Sequence, residues 1–216
     1  YYMPYSLVKN WLTDLKSTEA VAVIRDADQP ATIMIPGQES SHTAVVKLTN
    51  PDFFKVYDYE FITGSPFSAD DAAAGRNVAV LDKNKAVELF GNTEASIGRE
   101  IEVNFKTAKI IGVVKPGSAI STTSFGEVFL PYSAISGYDK DGDIGPYMAV
   151  FLLKPDKSID DIKAEINERV RKSNATSPDI NYYIFNQPYT HYEKTFDSAY
   201  ILSLIHISEP TRRSYI

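Results

Sequence analysis

The segment DKDGDIG, from Asp139 to Gly145, holds the side chains that most resemble a metal site, because three carboxylates occupy alternate positions. This spacing matches the beginning of a calcium-binding EF-hand loop. The same loop needs a glycine at its sixth position and a bidentate glutamate at its twelfth, where this chain has Ile144 and Val150. Asp and Gly are also common turn residues, so we interpret the segment as a solvated turn and expect no metal there.

The other residue types that carry chemistry are scattered. His42 and His191 have no carboxylate or histidine nearby at ligand spacing, and His206 lies in a suspect C-terminal tail. The G-x-S-x-G, G-x-G-x-x-G and P-loop patterns do not occur. We therefore predict no enzyme, no catalytic residue, no metal and no cofactor. Carboxylates that fold together from distant positions, as in glycoside hydrolases, leave a hydrolase as an alternative.

The composition indicates a soluble globular chain. Its 216 residues are enough for one large or two small domains, and 44% of them are hydrophobic. The net charge of −6, without a run of Lys and Arg, argues against nucleic acid and anionic membrane surfaces as partners. No cysteine is present, which excludes disulfides and thiolate metal sites. No apolar stretch approaches the roughly 18 residues of a membrane helix.

The hydrophobic pattern predicts short strands interspersed with few helices. Apolar periodicity indicates a helix over Ser6–Lys16 and another after the capping-box sequence that begins at Ser158. Asp82 and Gly91 bracket a third helix. Strands are predicted over 21–25, 32–35, 43–48, 78–81, 99–105, 108–114, 127–131, 147–153 and 181–185, with a turn at 106–107 between the fifth and sixth and a final helix over 189–200. The strand over 147–153 is apolar on both faces, which predicts a central position.

The order of these elements determines the predicted fold class. Strands and helices do not alternate regularly, so a doubly wound parallel fold is disfavoured. We predict an α+β fold with mixed or antiparallel sheets and packed helices. It would have two lobes, one formed by 1–48 and 146–201 and the other, β-rich, formed by 49–145 inserted between them.

Aromatic residues are concentrated in the segment from Leu48 to Ser68, which contains no nucleophile or ligand cluster. A ligand-stacking platform is one interpretation. The simpler interpretation is that Pro51 begins a helical turn capped by Asn50, and that the rings fill a gap between two lobes. The predicted structural joint consists of Pro51, Phe53, Phe54, Phe61 and Phe67.

The two ends of the sequence suggest a fragment of a longer protein. The first methionine follows two tyrosines, and LSLIHISEPTR, from Leu202 to Arg212, resembles a translated sequencing-library adapter. We therefore exclude 202–216 from the fold prediction and place the last natural residue near Ile201.

Several segments in this order resemble the periplasmic core domain of MacB-like ABC-transporter permeases, the class that includes FtsX- and LolC-type proteins. The matching segments, between about Leu48 and Pro116, are Pro51–Phe54, Gly64–Phe67, Val78–Leu81, Ala86–Gly91, Ile97–Gly98 and Ile110–Val114. Ser65 stands where the family commonly has arginine.

This resemblance implies a role outside the cytoplasm. Such domains are inserted between the first two membrane helices of a permease in the bacterial inner membrane and face the periplasm. It implies an ATP-binding subunit or domain as partner, a permease homodimer and a periplasmic partner protein, with ATP-driven motion coupled to export or mechanotransmission. A secreted ligand- or carbohydrate-binding module is the alternative, and an exposed Trp11 beside tyrosines would favour it.

Overall fold

The computed structural model describes residues 3–26, 30–134 and 146–176. Ten strands lie in these ranges: β1 Thr18–Asp26, β2 Ala31–Met34, β3 Ser41–Ala44, β4 Val46–Thr49, β5 Phe61–Gly64, β6 Val78–Asp82, β7 Glu100–Val103, β8 Lys106–Val114, β9 Val128–Pro131 and β10 Tyr147–Leu153. The helices are α1 Tyr5–Leu7, α2 Asp52–Val56, α3 Ala69–Ala73, α4 Lys83–Phe90 and α5 Ile159–Thr176. A π-helical turn, Val8–Leu12, continues α1.

The predicted capping residues define where the two main helices begin. The Asp82 carboxylate accepts a hydrogen bond from the Lys85 amide at 2.7 Å at the start of α4, and Gly91, with a φ of 81°, ends that helix. Ser158 and Asp161 exchange hydrogen bonds at the start of α5. These contacts satisfy amides that have no partner inside a helix, so the local sequence is sufficient to set the helix starts.

All ten strands join one mixed sheet in the order β10-β1-β4-β9-β6-β8-β7-β2-β3, with β5 paired to β8. The pairs β4–β9 and β6–β8 are parallel and the other pairs are antiparallel. The predicted α+β class with a mixed sheet is confirmed.

The sheet curls back on itself because β3 and β4 belong to almost the same strand. Only Val45 separates them, so the path from β4 through β9, β6, β8, β7 and β2 to β3 returns to its own starting segment. The prediction of a single strand over 43–48 was therefore wrong: the chain changes partners at Val45, and β3 pairs with β2 while β4 pairs with β1 and β9.

We call the closed part of the sheet, from β4 through β9, β6, β8, β7 and β2 to β3, the barrel. An apolar cluster fills its interior. Its fully buried members come from six strands and from α4. They include Ile33, Leu81, Ala86, Ile101 and Ile110. In β7, Ile101 and Val103 therefore point inward and the two glutamates outward, as alternation along a strand requires.

A second apolar cluster lies beside β1 and β10, between the N-terminal segment and α5. Val8, Trp11 and Leu12 contribute from the first segment, and Ile162 and Ile166 contribute from the helix. The predicted N-terminal helix over Ser6–Lys16 is shorter than expected. Its helical hydrogen bonding stops at Leu12, after which Thr13 is extended and Asp14 has a φ of 54°.

Two further predictions need correction. The strand 147–153 is the end strand of the described sheet and not a central one. Its two faces are apolar because one packs on the second cluster and the other contacts the aromatic residues near α2.

The turn of the β7–β8 hairpin lies at Asn104 and Phe105 rather than at 106–107. Both turn residues have positive φ, and β8 already begins at Lys106.

The two-lobe division stays a prediction, although the sheet crosses its boundaries: β4 pairs with β9, and β2 pairs with β7. Some predictions lie outside the described residues: the strand over 181–185, the helix over 189–200, the tail 202–216, the DKDGDIG turn, His191 and His206. Within the described ranges, no helix has both the length and the apolarity needed to cross a membrane.

Candidate functional site

The predicted joint residues converge around α2, the short helix between β4 and β5. Phe53 and Phe54 are buried on this helix, Phe67 is buried in the segment before α3, and Phe61 is partly buried on β5. Pro51 is half-buried and directly precedes the helix. The structure thus brings all five predicted residues into one neighbourhood.

Phe54 is the centre of this aromatic cluster. Its ring centroid lies 5.2 Å from that of Phe61, 5.4 Å from Phe67 and 5.7 Å from Phe53, each in an edge-to-face arrangement. Edge-to-face pairs place the positive ring edge against the negative ring face, which favours one geometry over a loose apolar contact. The cluster therefore has a defined shape as well as buried area.

Three aromatic residues that were not predicted to belong to the joint complete the cluster, and the first is Tyr57, whose ring centroid lies 4.9 Å from that of Phe53. The ring centroid of Phe129, on β9, lies 5.5 Å from those of both Phe53 and Phe54, and the ring centroid of Tyr59 lies 5.3 Å from that of Phe129. Phe129 belongs to a strand that was predicted, but its contact with Phe54 depends on the parallel pairing of β4 with β9. No local sequence pattern predicts that pairing.

The cluster rests on strands from widely separated parts of the chain. Ala22 and Ile24 of β1 contact it from one side, and Val80 of β6 and Val114 of β8 contact it from the other. The aromatic rings consequently join β1, which carries the N-terminal segment, to strands of the barrel.

Asn50 does not cap α2, contrary to the prediction. Its side chain instead bonds β1: the Val23 amide donates to Oδ1 at 2.9 Å, and Nδ2 donates to the Val21 carbonyl at 2.7 Å. Asp52 adds a bond from the Val21 amide at 3.2 Å. These side chains occupy backbone groups of β1 beyond the three residues that β4 pairs, so they extend the attachment of β1 to α2.

Tyr59 connects the aromatic cluster to the loop that precedes β9. Its hydroxyl donates to the Ser124 carbonyl at 2.7 Å. Burial raises the pKa of the Tyr59 phenol, and the negative charge of Asp82 raises it further, so the hydroxyl stays a donor at neutral pH. A side chain at Gly117 would meet the Tyr59 hydroxyl at 2.5 Å, which explains a glycine in this loop.

A buried lysine connects α4 to β3, the last strand of the barrel. The Lys85 ammonium donates to the Thr43 carbonyl at 2.8 Å and to Glu88 at 2.7 Å, and Glu127 lies 3.4 Å away. Burial lowers the pKa of Lys85, but the bonds to Glu88 and Glu127 outweigh burial and raise it. The lysine therefore stays charged and acts as a structural tie.

Trp11, the residue that was to distinguish a binding module from a scaffold, is only 3% exposed. Its indole Nε1 donates to Ser173 Oγ at 2.9 Å. A buried indole on a helix face favours the scaffold interpretation over ring stacking on a ligand.

The described residues offer little to a metal. They contain no group of three or more His, Asp or Glu side chains placed to hold a metal ion. A surface hollow beside Tyr57 contains Asp58 and Glu60, but Glu60 is paired with Lys115 at 2.6 Å and both side chains are mostly exposed. This arrangement is typical of a surface ion pair.

The comparison that identifies the family covers most of the chain. Residues 2–169 match the family described as the MacB-like periplasmic core domain. The chain belongs to this family. The MacB-like domain faces the periplasm as part of ABC-transporter permeases. This agrees with the predicted position outside the cytoplasm.

Curated relatives match a smaller part of the MacB-like domain. The macrolide export ATP-binding/permease protein MacB of Chromobacterium violaceum is 42% identical over 86 residues, which is 38% of this chain and 13% of the relative. Its counterpart in Shewanella sp. strain ANA-3 is 34% identical over 100 residues, or 44% of this chain and 15% of the relative. The chain thus spans a small fraction of these transporters.

Solved structures share the fold at low sequence identity. The periplasmic region of MacB from Actinobacillus actinomycetemcomitans has a TM-score of 0.62 at 17% identity, and the match covers 96% of this chain and 85% of that one. The extracellular domain of YknZ, a noncanonic ABC-type transporter from Gram-positive bacteria, has a TM-score of 0.59 at 16% identity, covering 84% and 94%.

Proposed function

We propose that this MacB-like domain is a non-catalytic mechanical component of an ABC transporter in the bacterial inner membrane. It moves as a unit outside the membrane when ATP-binding parts in the cytoplasm close and open. In this role the domain forms a homodimer with a second permease copy and contacts a periplasmic partner protein. The relatives named as macrolide exporters support an exported substrate.

The observation that carries this proposal is the aromatic cluster around Phe54. Its rings contact β1 on one side and strands of the barrel on the other, and Phe53, Phe54 and Phe67 are buried. A close-packed interior transmits displacement because it has few voids into which side chains can move. We therefore assign Pro51, Phe53, Phe54, Phe61 and Phe67 to a rigid joint between the proposed lobes.

The proposal predicts different distance changes within one domain and between two domains. The chain has no cysteine, so labels can be placed by single substitutions. Asp160 and Ile120 are exposed, lie in different proposed lobes and suit spin labels. In the intact transporter that carries this domain, the Asp160–Ile120 distance within one copy should stay constant through the ATP cycle. The Ile120–Ile120 distance between two copies should change between the nucleotide-free and ATP-bound states.

Either of two results would contradict the proposal. A within-copy distance that shifts or broadens on ATP binding would show that the domain deforms instead of moving as a unit. An inter-copy distance that is identical in all nucleotide states, in a transporter that hydrolyses ATP, would show that hydrolysis does not move this domain.

A further inference from the structure

One face of α5 carries two neighbouring rows of side chains with different chemistry. Ile162, Ile166 and Val170 are spaced four apart and bury an apolar row against the second cluster. A polar row with the same spacing runs beside it and consists of Glu165, Arg169 and Ser173. Residues four apart on a helix share a face, so each row makes a continuous line along the helix.

The guanidinium in the middle of the polar row occupies the open end of the N-terminal helical segment. Arg169 donates to the carbonyls of Thr13 and Asp14, the latter at 2.7 Å, and to Asn10 at 3.4 Å. Carbonyls at the end of a helix have no partner inside the helix. Arg169 therefore terminates this segment from a position more than 150 residues away in sequence.

The two ends of the polar row bind the chain on either side of that position. Glu165 accepts hydrogen bonds from the amides of Lys16 and Ser17, each at 3.0 Å, and from the Ser17 hydroxyl. Ser173 accepts the bond from Trp11. The three side chains together hold the stretch from Asn10 to Ser17, which leads directly into β1.

These contacts fix the relative direction of the two segments. Glu165, near the start of α5, bonds to Ser17, whereas Ser173, near its end, bonds to the earlier residue Trp11. Residue numbers therefore rise along α5 while they fall along its bonded partners. The N-terminal segment and α5 therefore run antiparallel. At this place in the structure, the chain before Trp11 and the helix after Ser173 extend in the same direction.

We propose that Glu165, Arg169 and Ser173 form a clasp that makes the N-terminal segment and α5 a single lever, and that this lever moves the sheet through β1. The proposal rests on the mechanical function proposed above. In that function, the two segments that the clasp binds must move together for a displacement of either one to reach β1.

The apolar row alone would not fix the position of the N-terminal segment along α5. Apolar contact is non-directional, so it favours burial of the two helical surfaces but selects their register less sharply than hydrogen bonds do. Hydrogen bonds depend steeply on distance and angle. A slide of one helical turn would break every bond of the clasp at once, so the clasp fixes the register that the apolar row leaves loose.

The test compares Arg169→Met with Arg171→Met on the same helix. Arg171 is the matched control because its side chain is 70% exposed and bonds only to Glu168 in the described structure. In the chain itself, R169M should speed amide hydrogen exchange of residues 10–17 by about tenfold or more and leave β6 and β8 unchanged. R171M should leave both regions unchanged. Arg169→Lys keeps the charge but cannot reach all three carbonyls, so its exchange should be intermediate.

The same variants in the intact transporter test the lever. With a macrolide as the transported probe, R169M should retain ATP hydrolysis but move about tenfold less macrolide per ATP hydrolysed, whereas R171M should match the wild type. Unchanged exchange in R169M would overturn the clasp. Faster exchange with normal transport per ATP would overturn the lever. An inter-copy distance that is identical in all nucleotide states of a wild-type transporter that hydrolyses ATP would instead overturn the proposed function, while the exchange data would still decide whether the clasp exists.

Discussion

Arg169 of α5 donates a hydrogen bond to the Asp14 carbonyl at 2.7 Å, at a residue whose φ of 54° lies in the left-handed region. Such a backbone conformation is unfavourable for most L-residues and persists where the surroundings hold it. The bond therefore stabilises the bend by which the N-terminal segment passes into β1. It also shows that the end of one segment depends on a side chain of another that is distant in sequence.

Acid should weaken the attachment of the N-terminal segment. Burial acts to raise the pKa of Glu165, but the hydrogen bonds from Ser17 and Lys16 outweigh it and hold the pKa below the usual 4.5. A carboxyl group with a lowered folded-state pKa contributes stability above its unfolded pKa, and that contribution is lost as pH falls through the folded pKa. Chemical denaturation from about pH 6 down to about pH 3 should show a steeper loss of stability in the wild type than in Glu165→Gln.

The control for this titration is Glu39→Gln at an exposed loop position. It should follow the wild-type curve. Parallel curves for the wild type and Glu165→Gln across the acid range would show that the Glu165 carboxylate adds nothing to stability.

Removing the central ring of the aromatic cluster should destabilise the fold strongly. Phe54→Ala empties a site that is only 4% exposed and whose ring centroid lies within 5.7 Å of those of four other phenylalanines. We expect a loss of about 3–5 kcal/mol in the free energy of unfolding, because both apolar transfer and cavity formation oppose the change. Phe105→Ala removes the same ring from a site that is 83% exposed and should change stability little. Equal effects of the two substitutions would show that α2 is not anchored in the core.

The hairpin between β7 and β8 should be improved by a glycine. Asn104 and Phe105, its two turn residues, have φ values of 47° and 67°. Two-residue hairpin turns with positive φ at both positions prefer Asn-Gly. Phe105→Gly should therefore raise the free energy of unfolding by about 1 kcal/mol, since glycine adopts this conformation without a steric penalty. A lower melting temperature in Phe105→Gly than in Phe105→Ala would contradict this expectation.

The side chain of Asn50 should matter through β1. Asn50→Ala leaves the Val23 amide and the Val21 carbonyl without their bonded partner and should cost about 1–3 kcal/mol in the free energy of unfolding. Asn84→Ala, on the exposed face of α4, is the matched control and should stay within about 0.5 kcal/mol of the wild type. If Asn50→Ala behaves like the control, the bonds to β1 do not stabilise the fold.

Local sequence was a good guide wherever a structure depends on near neighbours. The starts of α4 and α5 follow from Asp82 and Ser158, because a cap bonds an amide three residues away. The burial of Phe53 and Phe54 follows from apolar rings placed directly after a turn. Most strand locations followed from alternation, although β5 was not predicted and Val45 interrupts one of the predicted strands.

Long-range pairing was not accessible in the same way. The sequence of β10 is apolar on both faces, which is equally compatible with a central strand and with an end strand covered on both sides. Asn50 has the residue type of a helix cap, but its side chain bonds to β1 because β1 and β4 are paired. Residue type sets which bonds a side chain can make, and tertiary structure decides which partner is within reach.

The sequence by itself determined the fold class, the local helix starts and the crowding of aromatic residues around α2, because each depends on residue type and short spacing. Only the tertiary structure decided the closure of the sheet at Val45 and the meeting of Phe129 with Phe54. It also decided the clasp between α5 and the N-terminal segment. The ring contact and the clasp bonds join residues about 75 to 162 positions apart, and no local periodicity encodes which distant surfaces a folded chain brings together.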